Sequence, residues 1–302
     1  MMEGIFMKRF IWILFTVCLL LSGCGNAEET DTLEETMAVS AVPAEEEKEP
    51  LVYVSLGDSI ARGYGLSDLT EERFSTIAAQ YWKDANTEVY NYGVDGQTSS
   101  ELLAMLQDGY ADKLAEADVV SVSIGANNIL QHAWQFLYDY YVYLYSEPPQ
   151  FTDEEIAVRF REFTAGADEG CVILEQDMPV LLETIREINP DCQILFLTLY
   201  NPYEAVNTEM HISGLPVQLA ALSDTYVTKI NACIREWTAM DDKTAIVDVY
   251  AAFAGRGREL LYAYSPEGQD PADMDMNHMD PHPNAKGHKV IGALVGQAYS
   301  DK

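Results

Sequence analysis

Basic residues are scarce in this chain, which has 18 lysines and arginines against 49 aspartates and glutamates and a formal net charge of −31. A surface this acidic repels phosphate, so the charge excludes non-specific nucleic-acid binding. Long apolar runs are also scarce. Only residues 10–23 form one, and it is too short to cross a bilayer as a mature helix, which excludes a polytopic membrane protein. Hydrophobic residues still make up 48% of the chain, which is enough for a large buried core and excludes global disorder.

Cysteine is rare as well, with five residues and no CxxC pattern, so a metal cluster is not expected. Two of the five, Cys18 and Cys24, lie near the N-terminus. The other three are Cys171, Cys192 and Cys233, and an odd number leaves at least one free thiol. One disulfide among them is compatible with an oxidising compartment, and the sequence does not specify the pair.

The N-terminus has the features of a targeting segment. Lys8 and Arg9 precede an apolar stretch over residues 10–21, and the sequence LSGC follows at 21–24. This resembles a bacterial lipoprotein signal, which implies removal of residues 1–23 and attachment of diacylglycerol to the sulfur of Cys24. The resemblance places the protein at the extracytoplasmic face of a bacterial cell membrane, held by lipid. The alternative is an ordinary secretory signal with a chance cysteine.

Residues 24–50 are predicted to be a disordered tether that begins at the lipidated cysteine. Positions 25–50 hold nine acidic residues against one lysine, with two prolines and no sustained apolar periodicity. The folded domain is therefore predicted to span residues 51–302.

Within that domain, strand-like runs alternate with helix-like runs. The predicted strands cover residues 51–56, 88–92, 119–124, 194–199 and 245–249. The predicted helices cover residues 61–82, 99–117, 175–189, 215–240 and 284–299, with glycines interrupting the first. Nearly all-apolar strands joined by helical crossovers indicate an α/β fold with a parallel sheet covered on both faces.

A helical insertion at about residues 130–170 interrupts this alternation. Its first part, residues 134–145, is rich in aromatic side chains. On a helix, one face carries Trp134, Tyr138, Tyr141 and Tyr145, and another carries Phe136, Tyr140 and Tyr143. One face is predicted to pack on the domain and the other to line an acyl or glycan site, with Tyr138 and Tyr141 as substrate contacts. The alternative is that all these rings only pack.

Residues of types that can take part in catalysis follow the predicted strands, at the sheet edge where ligands bind in parallel α/β folds. Ser59 follows the first strand, Gly96 the second and Asn127 the third, while His282 lies near the C-terminus. A serine nucleophile needs an imidazole base, and a tetrahedral intermediate needs N–H donors for its oxyanion. Tyr200 and Asn201 follow the fourth strand and are predicted to wall the same pocket.

These residues stand in motifs that resemble the four blocks of the GDSL, or SGNH, hydrolase superfamily. The blocks are matched by GDSI at 57–60, NYGVDGQT at 91–98, GANN at 125–128 and HP at 282–283. The resemblance implies a three-layer α/β/α sandwich with a flavodoxin-like parallel sheet of about five strands. It implies ester or thioester hydrolysis without a metal or cofactor. By the same resemblance, Ser59 is the nucleophile, His282 is the base, and Ser59, Gly96 and Asn127 form the oxyanion hole.

Apart from Ile60, which stands where the first block usually has Leu, two positions depart from the family pattern. Asn128 stands where the third block usually ends in Asp, a position that mostly shapes the loop. Met279 stands where the family places the acid, three residues before the histidine. Asp280 is therefore predicted to be the acid partner of His282, and the alternatives are Asp275 or a Ser-His dyad. The His- and Asp-rich tract around these residues contains no compact metal-ligand motif, so no metal site is predicted.

The resulting expectation is a lipid-anchored serine esterase that acts on acetylated glycans or lipid esters. An O-acyltransferase of the same superfamily is a close alternative, with a sugar hydroxyl in place of water. A non-catalytic surface lipoprotein that binds a glycan or solute is the alternative from another class. The sequence leaves the acyl chain length, the leaving group and the oligomeric state undetermined.

Overall fold

The computed structural model describes residues 49–82, 86–206, 208–263 and 280–299. The predicted signal peptide, the predicted lipidation site Cys24 and nearly all of the predicted tether lie outside these residues. The described residues belong to the domain that begins with the first strand.

The central sheet consists of five parallel strands, which are β1 (Leu51–Gly57), β2 (Thr87–Gly93), β3 (Val119–Ser123), β4 (Gln193–Leu197) and β7 (Thr244–Val247). Their spatial order is β2-β1-β3-β4-β7, which is the flavodoxin type of order. The register sets Gly57 beside both Gly93 and Ser123, so three strands end at the same level of the sheet. The predicted fold class is confirmed, because the sheet is parallel, has five strands and is flanked by helices.

Helices cover both faces of the sheet. They are α1 (Ser59–Arg62), α2 (Phe74–Ala79), α3 (Ser99–Gln107), α4 (Asn127–Tyr145), α5 (Asp153–Ile188), α6 (Leu219–Thr238), α7 (Val249–Phe253), α8 (Gly257–Leu260) and α9 (Ala285–Ala298), with a 3₁₀ turn at Asp112–Glu116. Side chains alternate along β1, so Val54 packs with α3 to α6 on one face and Tyr53 with α1, α2 and α7 to α9 on the other. Two hydrophobic cores thus enclose the sheet, as a three-layer sandwich requires.

The first predicted helix, 61–82, is two short helices with a loop between them. Gly63 ends α1 with a φ of +88°, and Gly65 follows with a φ of +81°. Glycine reaches this left-handed region at low cost, and a helix cannot continue through it. The loop places Tyr64 beside the predicted catalytic residues.

The insertion is helical, as predicted, but it extends further than expected. α5 runs without a break from Asp153 through the predicted 175–189 helix, and it starts with a capping box between Thr152 and Glu155. α4 and the first half of α5 therefore form one antiparallel pair on the sheet face that also carries α6.

A small antiparallel hairpin was not predicted. β5 (Glu209–Ile212) pairs with β6 (Leu215–Gln218), so the prediction of helix over residues 215–218 is wrong. Ser213 and Gly214 both have positive φ, which is the two-residue turn that suits a hairpin. Pro216 also opposes helix at this point, and α6 begins only at Leu219.

The three cysteines of the domain have free thiols in the structure. Cys192 is buried, and Cys171 and Cys233 are half-buried on α5 and α6. Over the described ranges, no helix has both the length and the apolar character that a membrane crossing requires.

Candidate active site

Ser59 is the first residue of α1 and lies directly beyond the end of β1. Gly57 makes the turn between strand and helix with a φ of +133°, and a side chain there would begin 2.0 Å from the carbonyl oxygen of Ser123. Asp58 caps the helix, because its Oδ1 accepts a hydrogen bond from the N–H of Ile60 at 2.9 Å. The hydroxyl of Ser59 is thereby held at the carboxyl end of the sheet.

His282 and Asp280 complete a line of three polar groups with this serine. The Nε2 atom of His282 lies 2.8 Å from Ser59 Oγ, and Nδ1 lies 2.6 Å from Asp280 Oδ1. Asp280 Oδ1 also accepts the backbone N–H of His282 at 3.0 Å, so the carboxylate and the ring are locked within one turn. Asp275, the alternative acid, lies outside the described residues.

The environment keeps Asp280 ionised. Burial by itself raises the pKa of Asp280, but the hydrogen bonds from the ring and backbone of His282, with the charge of that ring, lower the pKa below its ordinary value. A carboxylate in this state fixes the orientation of the imidazole and stabilises it when it becomes protonated.

The two remaining oxyanion candidates lie on neighbouring loops. Gly96, with a φ of +75°, is in the turn after β2, and Asn127 starts α4. The Nδ2 group of Asn127 donates to the carbonyl of Gln97 at 3.0 Å, which ties the amide to the loop that carries Gly96. The structure thus brings Ser59, His282 and Asp280 together and links Asn127 to the Gly96 loop.

Asn128, which departs from the family pattern, has a structural place. Its side chain is buried, with Oδ1 accepting from the N–H of Ser99 at 3.0 Å and Nδ2 donating to Ser99 Oγ at 2.7 Å. It therefore joins the starts of α3 and α4. Gly170 of α5 packs against the same point, since a side chain there would begin 1.9 Å from the Asn128 carbonyl oxygen.

A deep apolar cleft opens beside the serine. The space between its lining residues is about 910 Å³, part of which is open solvent. Ser59, Asn127 and His282 line it together with apolar side chains of α4, α5 and α6, among them Ile129, Leu130, Ala133, Phe136, Leu137, Phe163, Leu222, Tyr226 and Ile230. The cleft presents mostly hydrocarbon, so it suits an apolar group better than a polar one.

The α4 residues that reach the cleft are not those expected. Phe136 lines it, whereas Tyr138 is 53% exposed on the opposite side of the helix, and Tyr141 packs on Tyr145 with ring centroids 4.9 Å apart. Neither Tyr138 nor Tyr141 is among the residues that line the cleft. The prediction that each aromatic face has its own contact is therefore wrong. The face with Phe136 and Tyr140 packs on the domain and reaches the cleft through Phe136, while the face with Tyr138 is exposed.

Tyr200 and Asn201 lie after β4, as expected, but only Tyr200 of the two lines the cleft. Tyr200 lines the cleft, stacks on Phe253 and donates its hydroxyl to the carbonyl of Pro281 at 2.6 Å. That hydrogen bond supports the peptide between Asp280 and His282. Asn201 does not line the cleft. Its side chain donates to Ala220 O and accepts from Tyr203 N, both at 3.0 Å, so it shapes the loop.

Two residues of the site were not singled out in the sequence. Asp58 is fully buried, its Oδ2 has no hydrogen-bond partner within the described part of the chain, and burial raises its pKa to about 7. Tyr64 places its ring on the imidazole of His282. The Gly-Tyr-Gly sequence at 63–65 signalled a turn, but nothing local shows that the turn meets a residue more than 200 positions away.

Comparisons with known proteins agree with this geometry. Residues 55–290 match the GDSL-like lipase/acylhydrolase family. An uncharacterised Bacillus subtilis (strain 168) protein, YpmR, is 23% identical over 294 residues, which cover 96% of this chain and 95% of that one. A lipase from a goat rumen metagenome superposes with a TM-score of 0.55 at 20% identity, covering 81% of this chain and 95% of its own. An extracellular lipase from Streptomyces rimosus superposes with a TM-score of 0.56 at 19% identity, covering 82% of this chain and 100% of its own.

Proposed function

Because the chain belongs to the GDSL-like lipase/acylhydrolase family and is a carboxylic ester hydrolase, we propose that it cleaves esters of aliphatic acyl chains by a serine mechanism. The observation that carries the proposal is the hydrogen-bonded line from Ser59 through His282 to Asp280 at the mouth of an apolar cleft. We also propose that lipid on Cys24 holds the enzyme at the extracytoplasmic face of the membrane.

The mechanism follows from the tautomer in which Nδ1 of His282 carries the proton. Nδ1–H then donates to Asp280, and Nε2 accepts the hydroxyl of Ser59 at 2.8 Å. As Oγ attacks the acyl carbonyl, Nε2 takes its proton, and the imidazolium is stabilised by the Asp280 carboxylate. The same proton then goes to the leaving alcohol. Water, deprotonated by His282 in turn, hydrolyses the acyl-enzyme.

The oxyanion of each tetrahedral intermediate needs donors that are already in place. The backbone N–H groups of Ser59 and Gly96 and the amide of Asn127 are the candidates. The bond from Asn127 to Gln97 O supports this assignment, because it fixes the amide beside the Gly96 turn before substrate arrives.

The lining of the cleft favours an aliphatic acyl group over the acetyl esters of glycans. Its wall along α4 runs from Asn127 to Leu137, a rise of about 15 Å at 1.5 Å per residue. Phe136 of α4 and Phe163 of α5 stack with centroids 5.4 Å apart, and Tyr226 of α6 packs on Phe163 at 6.1 Å. The faces of these rings offer an acyl chain apolar contact, and the one hydroxyl among them, on Tyr226, already donates to the carbonyl of Thr164.

The test is hydrolysis of p-nitrophenyl acetate, butyrate, octanoate and dodecanoate by the purified full-length chain and by Ser59→Ala. We expect kcat/KM to rise from acetate to octanoate, and Ser59→Ala to reduce it by at least about 10³-fold on every ester. Hydrolysis that survives in Ser59→Ala contradicts the serine mechanism. A Ser59-dependent preference for acetate leaves the mechanism intact and contradicts the aliphatic substrate.

A further inference from the structure

The imidazole of His282 is covered by an aromatic ring from another part of the chain. Tyr64 stacks on it with ring centroids 4.4 Å apart and planes tilted by 35°. Tyr64 is itself 44% exposed, so its ring contacts both the imidazole and solvent. Ring-on-ring contact of this kind restricts how the imidazole can rotate about its side-chain bonds.

Two backbone features aim Tyr64 at this position. Its N–H donates to the carbonyl oxygen of Ser59 at 2.9 Å, which ties it to the nucleophile residue itself. Gly63 and Gly65 on either side have positive φ, which turns the chain sharply before and after the ring. The ring is therefore set by the same helix end that sets the serine hydroxyl.

Tyr262 links this loop to the loop that carries His282. Its hydroxyl donates to the carbonyl oxygen of Gly65 at 2.8 Å, and its own N–H donates to the carbonyl oxygen of His282 at 3.0 Å. A side chain at Gly65 would begin 2.9 Å from the Tyr262 ring, so the two loops are in close contact. Tyr262 thus holds the loop of Tyr64 and the loop of His282 next to each other through two hydrogen bonds.

We propose that Tyr64 is a positioning residue that holds the His282 imidazole against Ser59 and stabilises it when it carries the proton. The negative face of an aromatic ring attracts a cation stacked on it, and the imidazolium forms at each proton transfer of the proposed function, on which this inference rests. Within the described part of the chain, the other titratable groups that interact with His282 are Asp280 on its own loop, Asp58 after β1 and His288 of α9. Tyr64 differs from these groups because its ring lies on the imidazole and is partly exposed to solvent.

The experiment compares Tyr64→Leu with Tyr64→Phe, which keeps the ring. We expect Tyr64→Leu to lower kcat about three- to tenfold with KM within twofold of wild type. The acid limb of its pH–rate profile is expected to move to lower pH, because a less stabilised imidazolium loses its proton more easily. Tyr64→Phe is expected to match the wild-type enzyme in both respects. Tyr110→Leu, at a 70% exposed tyrosine outside the cleft, is the matched control.

A second variant weakens the contact between Tyr64 and His282 without changing the Tyr64 side chain. Tyr262→Phe removes only the hydroxyl that holds Gly65, and we expect a smaller fall in kcat and a shift of the acid limb in the same direction. A Tyr64→Leu enzyme with wild-type kcat and pH profile overturns the inference. So does a Tyr64→Phe enzyme as impaired as Tyr64→Leu, since that would assign the effect to the hydroxyl. Neither result touches the proposed function, whose serine mechanism fails if hydrolysis survives in Ser59→Ala and whose aliphatic substrate fails if acetate is preferred.

Discussion

Asp58 is the buried carboxyl group next to the nucleophile, and its chemistry is set by burial. Oδ1 is used as the cap of α1, while Oδ2 has no partner within the described residues. Loss of solvent raises its pKa to about 7, although the N–H of Ile60 and the nearby His282 act in the opposite direction. The folded protein therefore holds this proton more tightly than the unfolded chain does, where an aspartate titrates near 3.9.

Stability is expected to depend on this proton. The stability that the folded state gains from protonated Asp58 is fully present below about pH 4 and is lost as the pH rises through about 7. Asp58→Asn keeps a capping oxygen and removes the charge. We expect it to unfold like wild type at pH 4 and to be more stable by about 1–3 kcal/mol at pH 8. Urea denaturation at the two pH values measures this, and equal stability at pH 8 contradicts it.

Asp280 differs from Asp58 in that the fold favours its ionised form, because its carboxylate accepts hydrogen bonds from His282. Asp280→Asn is expected to lower kcat by about 10²–10⁴-fold with little change in KM, because the ring loses its orientation and its counter-charge. Asp275→Asn is the control and is expected to keep the wild-type kcat. The reverse ranking would assign the acid role to Asp275, and full activity in both variants would indicate a Ser-His dyad.

Among the elements, α4 has two distinct faces. Ile129, Ala133, Phe136 and Leu137 line the cleft, while Tyr138 and Tyr145 are exposed. The one charged side chain of this helix, Asp139, is buried and lies 3.0 Å from the guanidinium of Arg159 on α5. That pair and the packing of Phe136 on Phe160 and Phe163 fix how α4 is rotated, and hence which side chains an acyl chain meets.

The inner face can be tested by filling it. Ala133→Phe inserts a ring partway along the cleft and leaves the region around Ser59 unchanged. We expect kcat/KM for octanoate and dodecanoate esters to fall at least about tenfold, and that for acetate to stay within twofold. Retained acetate hydrolysis also shows that the variant folds. Tyr138→Ala, on the outer face, is the control and is expected to leave the profile unchanged. An unchanged profile in Ala133→Phe would place the acyl chain elsewhere.

For the molecule as a whole, the net charge of −31 bears on the proposed attachment to a membrane. A protein this acidic is repelled by anionic lipid, so the proposed attachment requires covalent lipid, because surface charge opposes it. The acidic stretch before β1 lies almost wholly outside the described residues, and its role as a spacer between the proposed lipid and the domain stays a prediction from its composition.

Cys24→Ser tests the anchor. We expect the wild-type protein, produced in a bacterial host, to incorporate labelled palmitate and to sediment with membranes. The variant is expected to be unlabelled and to appear in the soluble extracytoplasmic fraction, with unchanged ester hydrolysis. A labelled variant, or a wild-type protein without label, contradicts lipidation at this cysteine.

Local sequence patterns determined the sheet strands and the order of the four blocks. β1 and β3 are recognisable because a strand buried on both faces must be apolar almost throughout. Ser59 and Asn127 could be singled out because they stand shortly after the ends of these two strands in the sequence. Nothing beyond neighbouring residues is needed for either conclusion.

Only the tertiary structure decided which groups meet. That Nε2 of His282 reaches Ser59, that Tyr64 covers the same ring and that Phe136 rather than Tyr138 lines the cleft all depend on contacts between segments far apart in the chain. The helical period shows that α4 has two aromatic faces, but the rotation of the helix comes from packing against α5. The β5–β6 hairpin has the same cause, because its short strands gain stability from the neighbours they pair with and contact, such as the bond from His211 N to Tyr140 Oη at 2.9 Å.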